Sequence, residues 1–224
     1  MNKEQLIRVT NYYRALIKLR AIGLEKVFAH NLADAAGVTA TVVRKDFSQL
    51  SIQGQKRGGY QIVSLIDSLS LILGKGEEQN AIIVGCGRIG LALMHYGGFE
   101  SDGINIVAGF DNDPNVYSDP SQPTPIYPTN RLEEVVRALK VKVAIITVPE
   151  SAAADTYRKI LDAEVAGVLN FSPVTLKPTL MNDGTMSIVH NINVGLSLEQ
   201  IFYELKFPKK KNASPRHESL SEAN

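Results

Sequence analysis

Cysteine is nearly absent: Cys86 is the one thiol in 224 residues. It cannot close an internal disulfide, and a zinc site built on cysteines is excluded, so a reducing, cytoplasmic setting is expected. Long apolar runs are missing too. No stretch approaches the roughly 18–20 residues of a membrane span, which excludes an integral α-helical membrane protein. The N-terminal stretch MNKEQLIRVTNYYRALIKLR interleaves charge with its apolar stripe and offers no cleavage site, so a secretory signal is not expected. There is no internal repeat. Hydrophobic residues make up 44% of the chain and charged residues 21%. Those are the proportions of an ordinary globular protein, and they exclude wholesale disorder or a fibrous repeat. The length allows one or two domains.

Net charge is also close to absent, at +1, but the sum conceals an asymmetry. Residues 1–75 carry 11 Lys and Arg against 5 Asp and Glu, a net of +6. Residues 76–205 carry 8 against 16, a net of −8, and residues 206–224 carry 5 against 2, a net of +3. A basic first third on an acidic remainder points to two modules with different partners. The basic one suits a polyanion, nucleic acid first. Charge alone fits a scattered, solvated surface equally well.

What is present begins with helices. Leu6, Val9, Tyr13, Leu16, Ile17 and Arg20 fall at helical spacing over residues 3–21, with Gly23 as the stop. A short helix is expected over Ala29–Ala36, a turn at Gly37 and Val38, and a third helix from Ala40 to about Leu50 behind an N-cap at Thr39. Two short helices joined by a glycine-containing turn outline a helix-turn-helix. SIQGQKRGGY then reads as a β-hairpin loop, a wing, through Gly54, Gly58 and Gly59. Residues 61–73 are apolar enough for a packed helix, and LGKGEEQN is a linker that places the domain boundary near Gly74–Gln79. Beyond it the pattern changes. AIIVG, INIVAGFD, VKVAIITVP, GVLNFSP and TMSIVHNINV read as strands, with helical segments between several of them and a Pro-rich turn segment, DPNVYSDPSQPTPIYP, after the second. Such alternation implies βαβ units and a parallel sheet. LSLEQIFYELK is a final helix and PKKKNASPRHESLSEAN a polar tail.

The strongest chemical motif is IIVGCGRIG, with Gly85, Gly87 and Gly90 at G-x-G-x-x-G spacing. The glycine pattern alone is weak. Here a strand precedes it, a helix follows it, and Asp111 ends the next strand 21 residues past Gly90, which completes the dinucleotide fingerprint. Gly85 allows the tight turn, Gly87 the approach of backbone to pyrophosphate, and Gly90 the close packing of helix on strand. Asp111 would accept the adenosine ribose hydroxyls and repel a 2′-phosphate, favouring NAD(H) over NADP(H). The plain alternative is a Rossmann domain that keeps its glycines only for packing. Cys86 lies in the loop; a helix N-terminus can activate a thiol, but a small residue tolerated beside the cofactor is the simpler reading.

A dehydrogenase needs an acid or base beside the nicotinamide. Of the four histidines, His217 is in the tail, His30 in the basic module and His95 about one turn past Gly90 on the first Rossmann helix. Only His190 could face a cleft, and a lone histidine near a strand end is more often structural. No separate substrate domain remains. No catalytic residue and no metal site are assigned, and a small NAD-dependent oxidoreductase is the weaker alternative. An AMP- or CoA-type nucleotide protein is a third reading, because the glycine loop does not require nicotinamide.

In TATVVRKDFSQL, Val42, Val43 and Phe47 can pack inward while Arg44, Lys45 and Ser48 point outward, as on a recognition helix in a major groove, where Arg pairs with guanine O6 and N7. Lys56, Arg57 and Gly58 form the expected wing, within reach of phosphates or the minor groove. Asp46 fits a local salt bridge or cap better than a base reader. The plain alternative is a solvated charged face.

Taken in order, VRKDF, KRGGY, VGCGRIG, HYGGF, VAGFDNDP, TVPE and GVLNFSP resemble the Rex redox-sensing transcriptional repressors over about residues 5–205. Each motif is weak alone; seven in order are specific. The resemblance implies an α/β protein with an N-terminal winged-helix DNA-binding domain (1–76), a Rossmann NAD(H)-binding domain with a parallel sheet (77–194), a C-terminal helix swapped between subunits (195–207) and a disordered polar tail (208–224). It implies a homodimer on palindromic double-stranded operator DNA, released when NADH rises relative to NAD, the nucleotide being an effector of a protein that is not an enzyme and binds no membrane. Arg44 and Lys45 then belong to the recognition helix, and Lys56, Arg57 and Gly58 to the wing. The loop Gly85, Cys86, Gly87, Arg88, Ile89 and Gly90, with Asp111, holds the dinucleotide. Tyr96, Pro149, Asn170, Phe171 and Pro173 match segments bordering the nicotinamide. The family sets its two dimer states partly with an Arg on the first helix, matched here to Arg8, and an Asp before the last helix. That position is Asn193, a neutral and weaker partner. The wing is a residue short of the family's K-R-G-x-G-Y, and SQLSIQG replaces a more glycine-rich stretch. These departures bear on switching strength and operator preference.

Overall fold

The computed structural model describes residues 1–54, 58–76 and 78–208. Lys56 and Arg57 of the expected wing and the tail from residue 209 lie outside the described residues.

Helix α1 (Lys3–Ala21) starts at Asn2, whose side chain accepts from Gln5 N at 2.8 Å, and it ends just before Gly23 at φ +82°. Its inward face is Gln5, Val9, Tyr12 and Leu16. The expected stripe keeps Val9 and Leu16 but takes Tyr12 in place of Tyr13 as its buried aromatic, and Leu6 is exposed. After β1 (Lys26–Val27) come α2 (Ala29–Ala36) and α3 (Ala40–Gln49), the outline of a helix-turn-helix. Gly37, left-handed at φ +64°, ends α2, and Thr39 caps α3 by accepting from Val42 N. Val43 and Phe47 are buried against α1 and α2, with Phe47 edge-on to Tyr12 and Tyr60. The strand following the expected wing, β2 (Tyr60–Gln61), pairs antiparallel with β1. Its partner thus precedes the helix pair. Helix α4 (Ile62–Ile72) closes this core through Ile62, Leu65, Ile66 and Leu69.

The second half is built on β3 (Gln79–Val84), α5 (Arg88–Met94), α6 (Gly98–Ser101), β4 (Ile104–Asp111), α7 (Pro114–Tyr117) and β5 (Ile126–Pro128). It continues with α8 (Leu132–Ala138), β6 (Val143–Ile146), α9 (Glu150–Asp162), β7 (Gly167–Asn170), β8 (Ile188–Asn191) and α10 (Val194–Lys206). The strand order is β5-β4-β3-β6-β7-β8, parallel throughout. Running outward from the first strand of the sheet in both directions, this is the doubly wound dinucleotide topology, with its switch point between β3 and β6. β5 lies inside the segment expected to be only a Pro-rich turn.

One sheet face, with Ile82, Val84, Phe110 and Ile146, packs under α8, α9 and Leu176. The other packs Ile83, Cys86 and Ile126 against α5, α6 and α7. Those three helices sit over β3, β4 and β5, and beyond them this face is left largely bare: Val143 is 39% exposed and Ile188 62%. Among the described residues no helix is long and apolar enough to cross a membrane.

Candidate nucleotide site and DNA-reading helix

The three loop glycines do three different jobs. Gly85 has φ +94°, and a Cβ there would lie 2.7 Å from Val148 Cγ1 and 2.9 Å from Thr147 O. A Cβ on Gly90 would lie 2.0 Å from Gly85 O, so helix and strand meet there backbone to backbone. Gly87 has nothing within 4 Å of its missing Cβ. Its open side is what a pyrophosphate pressed against backbone requires. α5 begins at Arg88 with no side-chain cap, so its first N–H groups stay free for an anion.

Asp111 ends β4 beside this loop. Its Oδ2 accepts from Cys86 N at 2.7 Å and its Oδ1 from Asp113 N at 2.9 Å. Each oxygen keeps a further lone pair, so a ribose diol can still be bound. Cys86 is fully buried, and burial pushes its thiol up to about 12, with the Asp111 charge adding to the rise. That is the opposite of an activated thiolate, and Cys86 is a packing residue under the loop.

A cleft of about 680 Å³ opens at the carboxyl ends of the strands. It brings together Gly85, Gly87, Ile89, Asp111, Pro149, Phe171 and Pro173 from the expected set. It adds residues that sequence reasoning missed, among them Asn112, Thr129, Thr147 and Thr156. TVPE contained Thr147, and its hydroxyl donates to Gly85 O at 2.5 Å, bracing the loop from the neighbouring strand. The donor set fits a dinucleotide: an open glycine, free helix N–H groups and a carboxylate one strand away.

Two expected cofactor residues are placed otherwise. Asn170 is fully buried, and its amide is spent on the loop that follows it and on β8. Oδ1 accepts from Ser172 N at 2.9 Å and Ser172 Oγ at 2.6 Å, while Nδ2 donates to Val174 O at 2.7 Å and Asn191 Oδ1 at 2.8 Å. It shapes the pocket wall rather than facing the cleft. Tyr96 is 60% exposed and lines a separate cavity with His95, Phe99 and Ile106. His190 is exposed on β8 and is not among the residues lining the cleft. Among the described residues no group of three or more His, Cys, Asp or Glu is placed to hold a metal.

On α3, Arg44, Lys45 and Ser48 are exposed, and Asp46 points the other way, 2% exposed. Arg8 grips Asp46 with two bonds, Nε to Oδ2 and Nη2 to Oδ1, both 2.8 Å. Tyr12 OH donates to the same carboxylate at 3.0 Å. The Arg8 guanidinium holds the Asp46 carboxyl below the usual range, and burial pushes the Tyr12 phenol up to about 12. Within one chain Arg8 and Asn193 therefore do not pair. Arg8 is committed to orienting the recognition helix, and Asn193 caps α10 by accepting from Leu196 N at 2.9 Å. The α1 arginine that crosses to the second half is Arg14, which pairs with Asp102 after α6. Lys75 of the linker donates to Asp102 O at 2.5 Å and lies 5.7 Å from the Tyr13 ring centroid.

Fold and site define a class: a helix-turn-helix module joined to a Rossmann domain with a dinucleotide cradle. Comparison with known proteins agrees with both halves. Residues 4–48 match a family described as "Putative DNA-binding protein N-terminus", and residues 76–174 one described as "CoA binding domain". The redox-sensing transcriptional repressor Rex of Listeria welshimeri is 35% identical over 205 residues, covering 91% of this chain and 93% of its own. That of Rhodopirellula baltica is 32% identical, covering 89% and 82%. Among solved structures, RSP in complex with β-NAD+ and operator DNA superposes with a TM-score of 0.80 at 27% identity, over 92% of this chain and 93% of that one. RSP with β-NADH gives 0.72 at 26% identity, over 92% and 94%. The chain belongs to the Rex family of redox-sensing transcriptional repressors.

Proposed function

We infer that this chain is a redox-sensing repressor: a homodimer that binds palindromic operator DNA and releases it when NADH rises relative to NAD. The observation that carries the reading is one chain joining an exposed Arg44–Lys45 helix to a glycine cradle that ends on Asp111. The working units are the DNA-binding domain (1–76), the NAD(H)-binding domain (77–194), an exchanged helix (195–207) and a polar tail (208–224). Arg44 and Lys45, with Lys56, Arg57 and Gly58 of the wing, contact DNA. The backbone from Gly85 to Gly90 holds the pyrophosphate and Asp111 the ribose. The carboxylate disfavours a phosphate on that ribose, which argues against NADP(H) and equally against CoA, whose ribose carries a 3′-phosphate. Both NAD and NADH share those contacts, so discrimination falls to the nicotinamide end, at Pro149, Phe171 and Pro173. An apolar wall there penalises the cationic ring of NAD by desolvation. A tenfold preference needs only about 1.4 kcal/mol. The protein acts as a regulator, and the nucleotide leaves unchanged.

The arrangement of halves described above superposes better on the operator-bound relative than on the NADH-bound one, which supports reading it as the DNA-competent form. The test is fluorescence anisotropy on a labelled palindrome at fixed salt. NADH releases the DNA at concentrations where NAD does little. Arg44→Ala weakens operator binding about 10- to 100-fold, the worth of one bidentate base contact, and leaves NADH affinity unchanged. Loss of both activities together contradicts the division of labour, and turnover of a carbonyl or hydroxyacid substrate would revive the oxidoreductase alternative.

Dimerisation is carried by α10. It is exposed along its whole length, with Leu198 51%, Ile201 53%, Phe202 69% and Leu205 73% accessible. A helix that leaves Val194, Leu198, Ile201, Phe202 and Leu205 uncovered along one side is built for burial against a partner. The bare sheet face offers an apolar groove of about 420 Å³ lined by Phe99, Ile104, Val143, Ile145 and Leu169. The α10 of a second copy fills it. Light scattering gives a dimer for the native chain, and Phe202→Asp shifts it toward monomer with loss of palindrome binding. An unshifted mass for that variant counts against this interface.

A further inference from the structure

The wall of the nicotinamide end and the start of the exchanged helix meet at one side chain that none of the motifs singles out. Asn191 is the last residue of β8, and only Ile192 and Asn193 separate it from α10. Its Oδ1 accepts from Asn170 Nδ2 at 2.8 Å and from Leu176 N at 2.9 Å, and its Nδ2 donates to Leu176 O at 3.0 Å. On the pocket side, Asn170 holds Ser172 and Val174, between which Pro173 meets the cleft. On the helix side, Ile192 N donates to Asn170 O at 2.8 Å, and Asn193 opens α10. β8 is the edge strand, paired only with β7, so nothing beyond it in the sheet resists its displacement. After Phe171, whose N–H donates to Ile146 O of β6 at 2.8 Å, the loop to Leu176 leaves the sheet. These amide bonds are what tie it to β8.

We propose that Asn191 is a positioning residue that transmits the state of the nicotinamide pocket to α10, and so to the dimer. A shift of Phe171–Pro173 between a cationic and a neutral ring moves the Asn170 amide. The bidentate clasp of Asn191 on Leu176 forces β8 to follow rather than letting the loop flex alone. A side chain that merely stabilised the loop would act on folding and on both affinities together. One that transmits acts on their linkage, which is a coupling free energy separate from either affinity. The proposal rests on the repressor reading above.

The test uses the full-length protein, with operator and nucleotide affinities measured separately and then together. The readout is the ratio of operator Kd in NADH to that in NAD. For Asn191→Ala, operator affinity in NAD and NADH affinity without DNA each stay within about threefold of native, while the ratio, of the usual order of 5- to 150-fold, falls to near one. Asn191→Asp keeps both accepting bonds but replaces the donor to Leu176 O with a carboxylate oxygen that repels it, and its ratio is intermediate. A native ratio in Asn191→Ala overturns the proposal, as does a parallel loss of both affinities with a lowered melting point. If Asn191→Ala does not fold, Asn191→Asp decides: an intermediate ratio supports transmission and a native one overturns it. Absence of any NADH effect in the native chain would instead sink the repressor reading itself.

Discussion

Gly90→Ala abolishes nucleotide binding and destabilises the second domain, whereas Gly87→Ala abolishes binding alone. The added methyl at position 90 would sit 2.0 Å from Gly85 O and 3.0 Å from Thr147 Oγ1. Gly85 O is backbone, and it already accepts the Thr147 hydroxyl at 2.5 Å, so the neighbour cannot swing aside. α5 has to lift off β3, and the loop loses its shape. Overpacking of this kind costs about 1–3 kcal/mol, and more where backbone has to move. We expect the upper end, with NADH affinity reduced more than about 100-fold, the equivalent of some 2.7 kcal/mol. At Gly87 the methyl enters open space, so the fold is untouched and only the approach of phosphate is blocked. Calorimetric titration with NADH beside thermal melting separates the two variants. Near-native binding in Gly90→Ala would mean that the loop is softer than its contacts indicate.

Asp46→Ala unfolds or severely loosens the DNA-binding domain. The carboxylate is 2% exposed and neutralises Arg8, whose side chain is 23% exposed. Breaking a fully buried pair costs about 3–5 kcal/mol; here the charge left, Arg8, is partly solvated, so we expect the lower end, with Tyr12 OH losing its buried acceptor as well. Against a typical total of about 5–15 kcal/mol that is enough to threaten the domain. The same pair sets a pH dependence. The folded carboxyl sits below its unfolded value, so its contribution is complete at neutral pH, above the unfolded carboxylate range, and is lost as pH falls through the depressed folded value. Urea denaturation of native and Asp46→Ala chains at neutral and acid pH checks both: the gap between them is large at pH 7 and closes in acid. Equal midpoints at pH 7 would show the pair to be idle.

Much of this was legible in the sequence. Helical spacing and the glycine stops located α1 to α4 because caps and left-handed turns are local decisions. The glycine cradle was legible because its demands on φ and on close approach leave no other residue type. What escaped was whatever depends on partners far along the chain. Periodicity put Tyr13 on the inner face of α1, whereas the carboxylate of Asp46, 34 residues after Tyr12, selects Tyr12. The Arg8–Asp46 pair escaped for the same reason: spacing along α1 says nothing of which acid an arginine meets. β5 escaped because it is three residues long and ends in proline, and it exists only through pairing with Gly109, Phe110 and Asp111. Asn170 reads as a ligand-facing amide in the motif, and only the full accounting of its bonds shows that it is spent on the following loop and on β8.

The joint between the two halves has a mechanical consequence. The chain passes between them once, at Gly74–Gly76, and there Arg14 and Lys75 converge on Asp102, with the Arg14 side chain 51% exposed. Such exposed charges are screened within a Debye length of about 8 Å at physiological salt. The recognition helix is thus mounted on a lever whose pivot is stiff in dilute buffer and slack in brine. Ionic strength acts on this molecule at two ends, loosening its grip on the DNA backbone and unlocking the angle at which that grip is offered.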